Sequence, residues 1–492
     1  MNSPGLDTRF FGHPAGLSTL FFTELWERFG YYGMRALLVL FMTAGVASGG
    51  LGFDTTKAYA IYGLYTASCY MMSLPGGWIA DRILGQQKSV LYGGVLIAAG
   101  YLMLAIPSVT ALYTGMTIVV LGTGLLKPNI STVVGQLYEP GDARRESGFS
   151  IFYMGINIGS TIAPLACGWV GEKINWHWGF GLAGLGMAAG VVTYWVGLKR
   201  LGPAGLHPVE PPAPEVGAQW RRSFRSGVLA VALLLAAGIG LQASGLMEMD
   251  AGTLVNFAGF VLVGLTLALF AWMFFGGGWT AEERKRLAVI AVLFCGSALF
   301  WAAFEQAGSS FNLFARNATD HVLWGFDFPA SWFQSLNAAF IIAFAAVFAW
   351  IWIRMGERQP SSVMKFALAM FCAAGGFGVM MLAAQRAAGG GKVSPLWLVL
   401  TYLLHTFGEL LLSPVGLSAM TRLAPVRVAG LMMGVWFLSL SMGNYLAGRL
   451  AAFYGALPPY DLFRALGVLT LAAAVVLAVI ARPVSRLTAS VK

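Results

Sequence analysis

Apolar runs of about 20 residues, closed by short polar breaks, recur from one end of this chain to the other, and each has the length of a helix that crosses a bilayer. Roughly fourteen can be counted, near 17–48, 57–80, 89–107, 109–137, 147–171, 175–198, 225–246, 252–275, 287–314, 328–353, 363–385, 395–421, 428–454 and 460–481. The long polar interval from Lys199 to Arg225 is rich in proline and reads as a linker. Two apolar runs without an internal charge follow it, and the stretch TAEERKRL separates them from the next long run. Setting that pair aside leaves six runs before it and six after. The expected organisation is an all-α membrane protein in three parts: residues 1–200 as a first six-helix bundle, 201–285 as linker plus two peripheral helices, and 286–492 as a second bundle.

Composition agrees with a bilayer as the solvent. Of 492 residues, 58% are hydrophobic and 11% charged, with a mean hydropathy of +0.71, whereas a soluble domain carries about 25% charged residues. Lysine and arginine then set the orientation. With the first residue on the cytoplasmic side, 21 of the 31 fall on inner connections and 7 on outer ones. Arg28, Arg35 and Lys127 remain inside the membrane. Positive residues stay inside, so both termini are expected in the cytoplasm. The net charge of +10 thus reflects topology against anionic headgroups, and no basic domain exists to bind nucleic acid. Residues 1–16 are mixed and the first run is too long for a cleaved signal, so it reads as an uncleaved first span. The four cysteines, Cys69, Cys167, Cys295 and Cys372, stand far apart inside spans. They are expected as buried thiols, not as a disulfide or zinc framework.

The first span poses the chemical question, because FFTELWERFGYYGMRALLVLF carries four charges. At about 100° per residue, Glu24, Glu27, Arg28, Tyr31 and Arg35 fall within a sector of about 100°. Charges inside a membrane are costly and usually face a protein interior or a wet cavity, where they pair. An internal ion-pair cluster is the plain reading; four charges on one stripe favour a functional lining. At 1.5 Å per residue, Arg35 stands about 16 Å beyond Glu24 toward the outside, which makes two tiers. Lys127 falls level with the inner tier, where it can answer a carboxylate. Glu305 falls level with Arg35, and the two can pair. Glu409 lies near the middle of its span.

Lys127 and Glu409 occupy the fourth span of each half, and proline follows each closely, at Pro128 and Pro414. Secondary transporters with paired halves bind substrate between them near the midplane, and a cation facing an anion there suits a zwitterion such as an amino acid or short peptide. Asn157 and Asn337 are mid-span candidates for its amides, and Tyr31, Tyr32, Tyr70 and Trp436 for its walls. Interhelical glue and plain packing are the alternatives for these residues. A carboxylate in a low-dielectric site is pushed to hold its proton by desolvation and to release it by a cationic neighbour. Protonation of Glu24, Glu27 or Glu305 is therefore expected to free Arg28, Lys127 or Arg35, coupling a proton to a gate.

Several motifs resemble one family. ELWERFGYY, Glu24 to Tyr32, is similar to the ExxERFxYY signature of the proton-dependent oligopeptide transporters, a branch of the major facilitator superfamily. GGWIADRILGQQK (Gly76 to Lys88), GTGLLKPNIS (Gly122 to Ser131), FYMGINIGS (Phe152 to Ser160), FWAAFEQ (Phe300 to Gln306) and FGELLLSPVG (Phe407 to Gly416) resemble its other blocks, in order. The central pair resembles the two extra helices of bacterial members. Two positions depart from the usual pattern: Ala338 follows Asn337, and Thr161 follows the FYxxINxGS block.

The resemblance implies proton-driven import of di- and tripeptides by alternating access, on a major facilitator fold of about fourteen helices in a bacterial inner membrane, as a monomer. It implies proton coupling by Glu24, Glu27, Arg28, Lys127 and Glu305, and an outer gate of Arg35 and Glu305. Peptide-facing positions are then Tyr31, Tyr32, Arg35, Tyr70, Lys127, Asn157, Asn337, Glu409, Ser413 and Trp436. The proton is the coupling ion and no cofactor or metal is expected. Plant relatives in the family carry nitrate, so a proton-coupled transporter of nitrate or amino acids is the alternative. Enzyme readings find little support. His405 and Glu409 stand four apart, a spacing that can hold a metal, but no third ligand is evident. Gly122-x-Gly124 lacks a nucleotide-binding context and reads as close helix packing.

Overall fold

The computed structural model describes residues 8–139, 141–244, 251–276, 278–425, 429–452 and 457–487. The outermost residues at both ends, on which the expected cytoplasmic termini fall, lie outside the described residues.

The first half of the sequence forms α1 (Ala15–Thr43), α2 (Thr55–Met71), α3 (Ser73–Ile79), α4 (Gln86–Leu104), α5 (Val109–Gln136), α6 (Arg145–Trp169) and α7 (Trp176–Leu201). A widened turn, Val170–Ile174, extends α6. Two helices follow, α8 (Pro214–Ala243) and α9 (Ala251–Phe275). The second half contains α10 (Ala281–Phe304), α11 (Ser310–Ala318), α12 (Ser335–Met355), α13 (Ser362–Ala387), α14 (Leu396–Leu423), α15 (Ala429–Ala451) and α16 (Pro459–Arg486). A short hairpin pairs β1 (Val322–Leu323) with β2 (Phe326–Asp327), Val322 opposite Asp327.

Ten stretches of the described residues are long and apolar enough to cross a membrane. α1 is not among them although it runs for 29 residues; it is the helix that carries Glu24, Glu27, Arg28 and Arg35. Large apolar side chains such as Trp195 (66% exposed), Phe260 (79%) and Ile353 (80%) point away from protein, as expected where lipid is the solvent.

Three local expectations change. The interval 199–225 is not all linker: α7 runs to Leu201 and α8 begins at Pro214, so irregular chain is confined to 202–213. An apolar count starts a helix at its last charge, but a helix that projects past the bilayer needs no apolar residues there. The run 287–314 is not one helix, since a tight turn over Glu305–Gly308 separates α10 from α11. Nor are all the cysteines buried: Cys69 and Cys167 are, whereas Cys295 is exposed and Cys372 half-buried, because a residue inside a span can face lipid.

The chain divides into two compact units. Unit 1 comprises Met1–Tyr32, Met71–Ala163 and Phe180–Phe257. Here α5 lies against α3 and α4 so closely that a Cβ on Gly122 would come within 2.6 Å of the Gly93 carbonyl, and one on Gly76 within 1.9 Å of the Gly124 carbonyl. Helices in lipid gain nothing from mutual apolar burial, so small residues that let backbones touch take over that role. The chain after α7 is pinned to the start of α4, where Gln87 donates to the Gly202 and Ala204 carbonyls at 3.0 and 2.8 Å. At the base of unit 1, His13 Nδ1 and the Tyr138 hydroxyl share a hydrogen bond of 2.9 Å; burial pushes that phenol up to about 12.

Unit 2 comprises Gly33–Tyr70, Pro164–Gly179 and Ala258–Lys492. It therefore holds the second half of the sequence together with the segments of α1, α2, α6 and α7 nearest the expected outer surface. α2 meets α15 where a Cβ on Gly63 would lie 2.6 Å from the Gly448 Cα. Asn312 donates to the Ala36 carbonyl at 3.0 Å and Arg316 to the Leu40 carbonyl at 2.9 Å, so α11 is tied to the second part of α1.

Candidate functional site

Within unit 1 the inner tier of α1 is a buried ion cluster. Glu24, Glu27 and Arg28 are 4%, 0% and 5% exposed. The Arg28 Nε faces Glu24 Oε1 at 3.3 Å and donates to Glu27 Oε2, and its guanidinium lies 5.1 Å from the Tyr31 ring centre. The three charges share one side because helical spacing of three and four residues returns to the same face. Lys127, half-buried on α5, acts electrostatically on Glu24, which places it with this cluster. Glu24 Oε2, Glu27 Oε1 and Arg28 Nη2 are buried with no hydrogen-bond partner among the described residues. Buried polar atoms are nearly always satisfied, so the cluster retains capacity for a proton or a ligand group. Tyr31 and Tyr32 stack edge to face at 5.3 Å beside it. Asn157 is buried on α6 and donates to the Tyr153 carbonyl at 2.9 Å.

Within unit 2 the outer tier forms a second cluster. Arg35 Nη2 donates to Glu305 Oε2 at 2.7 Å, and both residues are buried. The turn at Glu305–Gly308 delivers the carboxylate at the break between α10 and α11. Tyr62, on α2, completes the group: its hydroxyl accepts from Arg35 Nε at 2.7 Å and donates to Glu305 Oε2 at 3.3 Å. Gly308 makes room for it, since a Cβ there would lie 1.9 Å from that hydroxyl. Sequence reasoning missed Tyr62, one of several tyrosines on α2 with nothing in its spacing to distinguish it.

A third group lies in unit 2. Asn337, third residue of α12, donates to Glu409 Oε2 at 2.8 Å and to Thr406 Oγ1 at 3.1 Å. Thr406 was also missed; its hydroxyl donates to the Tyr402 carbonyl at 2.7 Å, which leaves its lone pairs for the asparagine. Asn337 is nearer the N-terminal end of the Ala330–Met355 span than its middle, because the chain enters through the short turn Ala330–Gln334. The Ser413 Oγ is buried with no partner among the described residues. Trp436, 6% exposed, packs its ring over Gly416, where a Cβ would come within 2.4 Å. Tyr70, the last residue of unit 2 on α2, is half-buried.

His405, one turn from Glu409, is packed among Phe304, Phe311 and Phe377 with ring centres 6.4, 5.4 and 5.2 Å away. Among the described residues no three His, Cys, Asp or Glu side chains gather as metal ligands.

A helical membrane protein that buries opposite charges inside its spans, in both halves of its sequence, belongs to the class of secondary transporters. The family model described as the POT family matches residues 87–205 and 259–459. Among curated relatives, the peptide transporter YePEPT of Yersinia enterocolitica is 45% identical over 466 residues, covering 91% of this chain and 89% of its own. The di-/tripeptide transporter of Lactococcus lactis subsp. cremoris is 36% identical over 491 residues, 98% of either chain. Among solved structures, that of the peptide transporter POT in complex with sulfate superposes with a TM-score of 0.92 at 43% identity, covering 98% of this chain and 97% of that one. A POT family transporter in complex with 5-aminolevulinic acid reaches 0.91 at 35% identity, covering 98% and 99%. The chain belongs to the POT family, and its fold is the major facilitator fold of those transporters.

Proposed function

We propose that this protein imports di- and tripeptides together with protons across a bacterial cytoplasmic membrane, by alternating access and as a monomer. The observation that carries the reading is the pair of buried ion clusters, Glu24–Glu27–Arg28 in unit 1 and Arg35–Tyr62–Glu305 in unit 2. Each sets carboxylates against a cation where a proton decides whether the ion pair holds. The proton is the coupling ion and no cofactor takes part. Relatives described as peptide transporters, and a related POT structure solved with alafosfalin at 43% identity, support the substrate class. In unit 1, Lys127 offers an ammonium to the peptide carboxylate. In unit 2, Glu409 with Asn337 offers acceptors for the peptide ammonium, and Ser413 and Trp436 flank that end. The skew of Lys and Arg supports cytoplasmic termini.

Purified protein in liposomes, given dialanine and trialanine with and without an inward proton gradient, tests the reading. Gradient-dependent, saturable uptake is expected, with nitrate and sugars inert; absence of any peptide uptake sinks it. The structure solved with 5-aminolevulinic acid favours one second reading, an amino-acid-like zwitterion as substrate, which competition in the same assay decides.

A further inference from the structure

Outside both ion clusters, α6 and the start of α12 are joined by a contact that neither the motifs nor the site uses. The turn Ala330–Gln334 opens the long helical span that continues as α12, and its leading backbone N–H groups need acceptors. The residue just before it supplies none, since it is Pro329 and makes no capping bond. Glu172, held on the widened turn at the end of α6, supplies them instead. Its Oε1 accepts from the Ser331 N–H at 2.9 Å and its Oε2 from the Ala330 N–H at 3.2 Å. Two more contacts flank the carboxylate: Trp332 Nε1 donates to the Leu165 carbonyl at 3.1 Å, and Gly168 lets Ser331 press against α6, where a Cβ would lie 2.1 Å from its Oγ. A carboxylate on backbone N–H groups at a helix start gains both charge-assisted hydrogen bonds and the helix dipole. Asn337 and its bond to Glu409 lie on the helix so capped. Pro164, inside α6, is also where that helix passes from unit 1 to unit 2, and proline removes a backbone hydrogen bond there.

We propose that Glu172 is a gate-positioning residue: a cap supplied from another helix that holds the outer end of α6 to the start of the Ala330–Met355 span in the outward-closed state and must let go each time the transporter opens outward. This rests on the alternating-access reading above. It differs from the Arg35–Glu305 pair in kind, because the hydrogen bonds of the carboxylate run to backbone, so its hold depends on where the helix end is; the Arg316 cation also acts on it electrostatically.

Two measurements test it. In the Gly168→Cys plus Ser331→Cys pair the two Cβ positions are 3.1 Å apart, which a few tenths of an ångström of give brings to disulfide range, about 3.5–4.5 Å. Oxidation is expected to stop dipeptide uptake and reduction to restore it; an oxidised pair that still transports overturns the proposal. Separately, Ser331→Cys alone is buried, and its labelling by a membrane-impermeant maleimide needs no substrate. Adding Glu172→Gln is expected to raise the labelling rate at least about fivefold and, in uptake, to lower KM for external dipeptide together with kcat. A loss of folded protein alone would lower maximal rate at constant KM. An unchanged labelling rate overturns the role of Glu172, whether or not peptides prove to be the cargo.

Discussion

Glu27 has no exposed surface at all, and it is held by Arg28, one residue away. A buried ion pair is strongly weakened when one member is removed, by about 3–5 kcal/mol, because the other charge is left without compensation. Glu27→Gln is thus expected to cut gradient-driven uptake by at least tenfold while binding of labelled peptide persists; uptake at the wild-type rate would remove Glu27 from coupling. Tyr62 is a subtler case, since its hydroxyl joins both members of the outer pair. Tyr62→Phe deletes two hydrogen bonds at about 1 kcal/mol each, so a shift toward outward-open protein of roughly thirtyfold is expected, read as a lower KM for external peptide. Arg35 and Glu305 were legible in sequence as charges at one height. Tyr62 was not, because a phenol in an apolar helix looks the same whether it packs or bonds, and only the placement of α2 against Arg35 decides it.

Elements were read well where the bilayer dictates them. Hydrocarbon forces a spanning segment to satisfy its own backbone, so an apolar run of sufficient length is a helix, and 109–137 became Val109–Gln136. Elements were misread where protein, not lipid, surrounds the backbone. The turn at Glu305–Gly308 breaks a continuous apolar run, and such non-helical backbone is tolerated at membrane depth only inside protein. Glycine contacts belong at this scale too. Filling the approach of α2 to α15 by Gly63→Leu overpacks a site where a single Cβ already meets backbone at 2.6 Å. A loss of about 1–3 kcal/mol is expected, seen as a lowered Tm in detergent. Gly264→Ala, where nothing lies within 4 Å, is the control and leaves Tm in place.

For the molecule as a whole, pH is the variable that separates coupling groups from scaffold. Lys173 lies 2.5 Å from the exposed Asp327 on the β1–β2 hairpin and holds that carboxyl below its usual range. A depressed carboxyl stabilises the fold while ionised, fully above its unfolded pKa of about 3.9, and loses that effect only as pH falls through the still lower folded value. Between pH 5 and 8 the pair is unchanged, and as a surface pair it contributes at most about 1 kcal/mol. Asp327→Asn is therefore expected to leave the pH profile of uptake where it is; a shifted optimum would return the hairpin to the coupling machinery.

The sequence by itself determined the solvent, the helical class and the chemical inventory of α1, since these follow from composition, run length and spacing along one helix, while its motif blocks carried the resemblance to the family. Tertiary structure alone decided which groups meet: Tyr62 on Arg35, Asn337 and Thr406 with Glu409, and Glu172 on the leading amides of the Ala330–Met355 span. The reason is that a helix specifies its own faces through a local period, while the partner of each face comes from residues tens to hundreds of positions away, fixed only when small residues such as Gly63 and Gly448 let particular backbones touch.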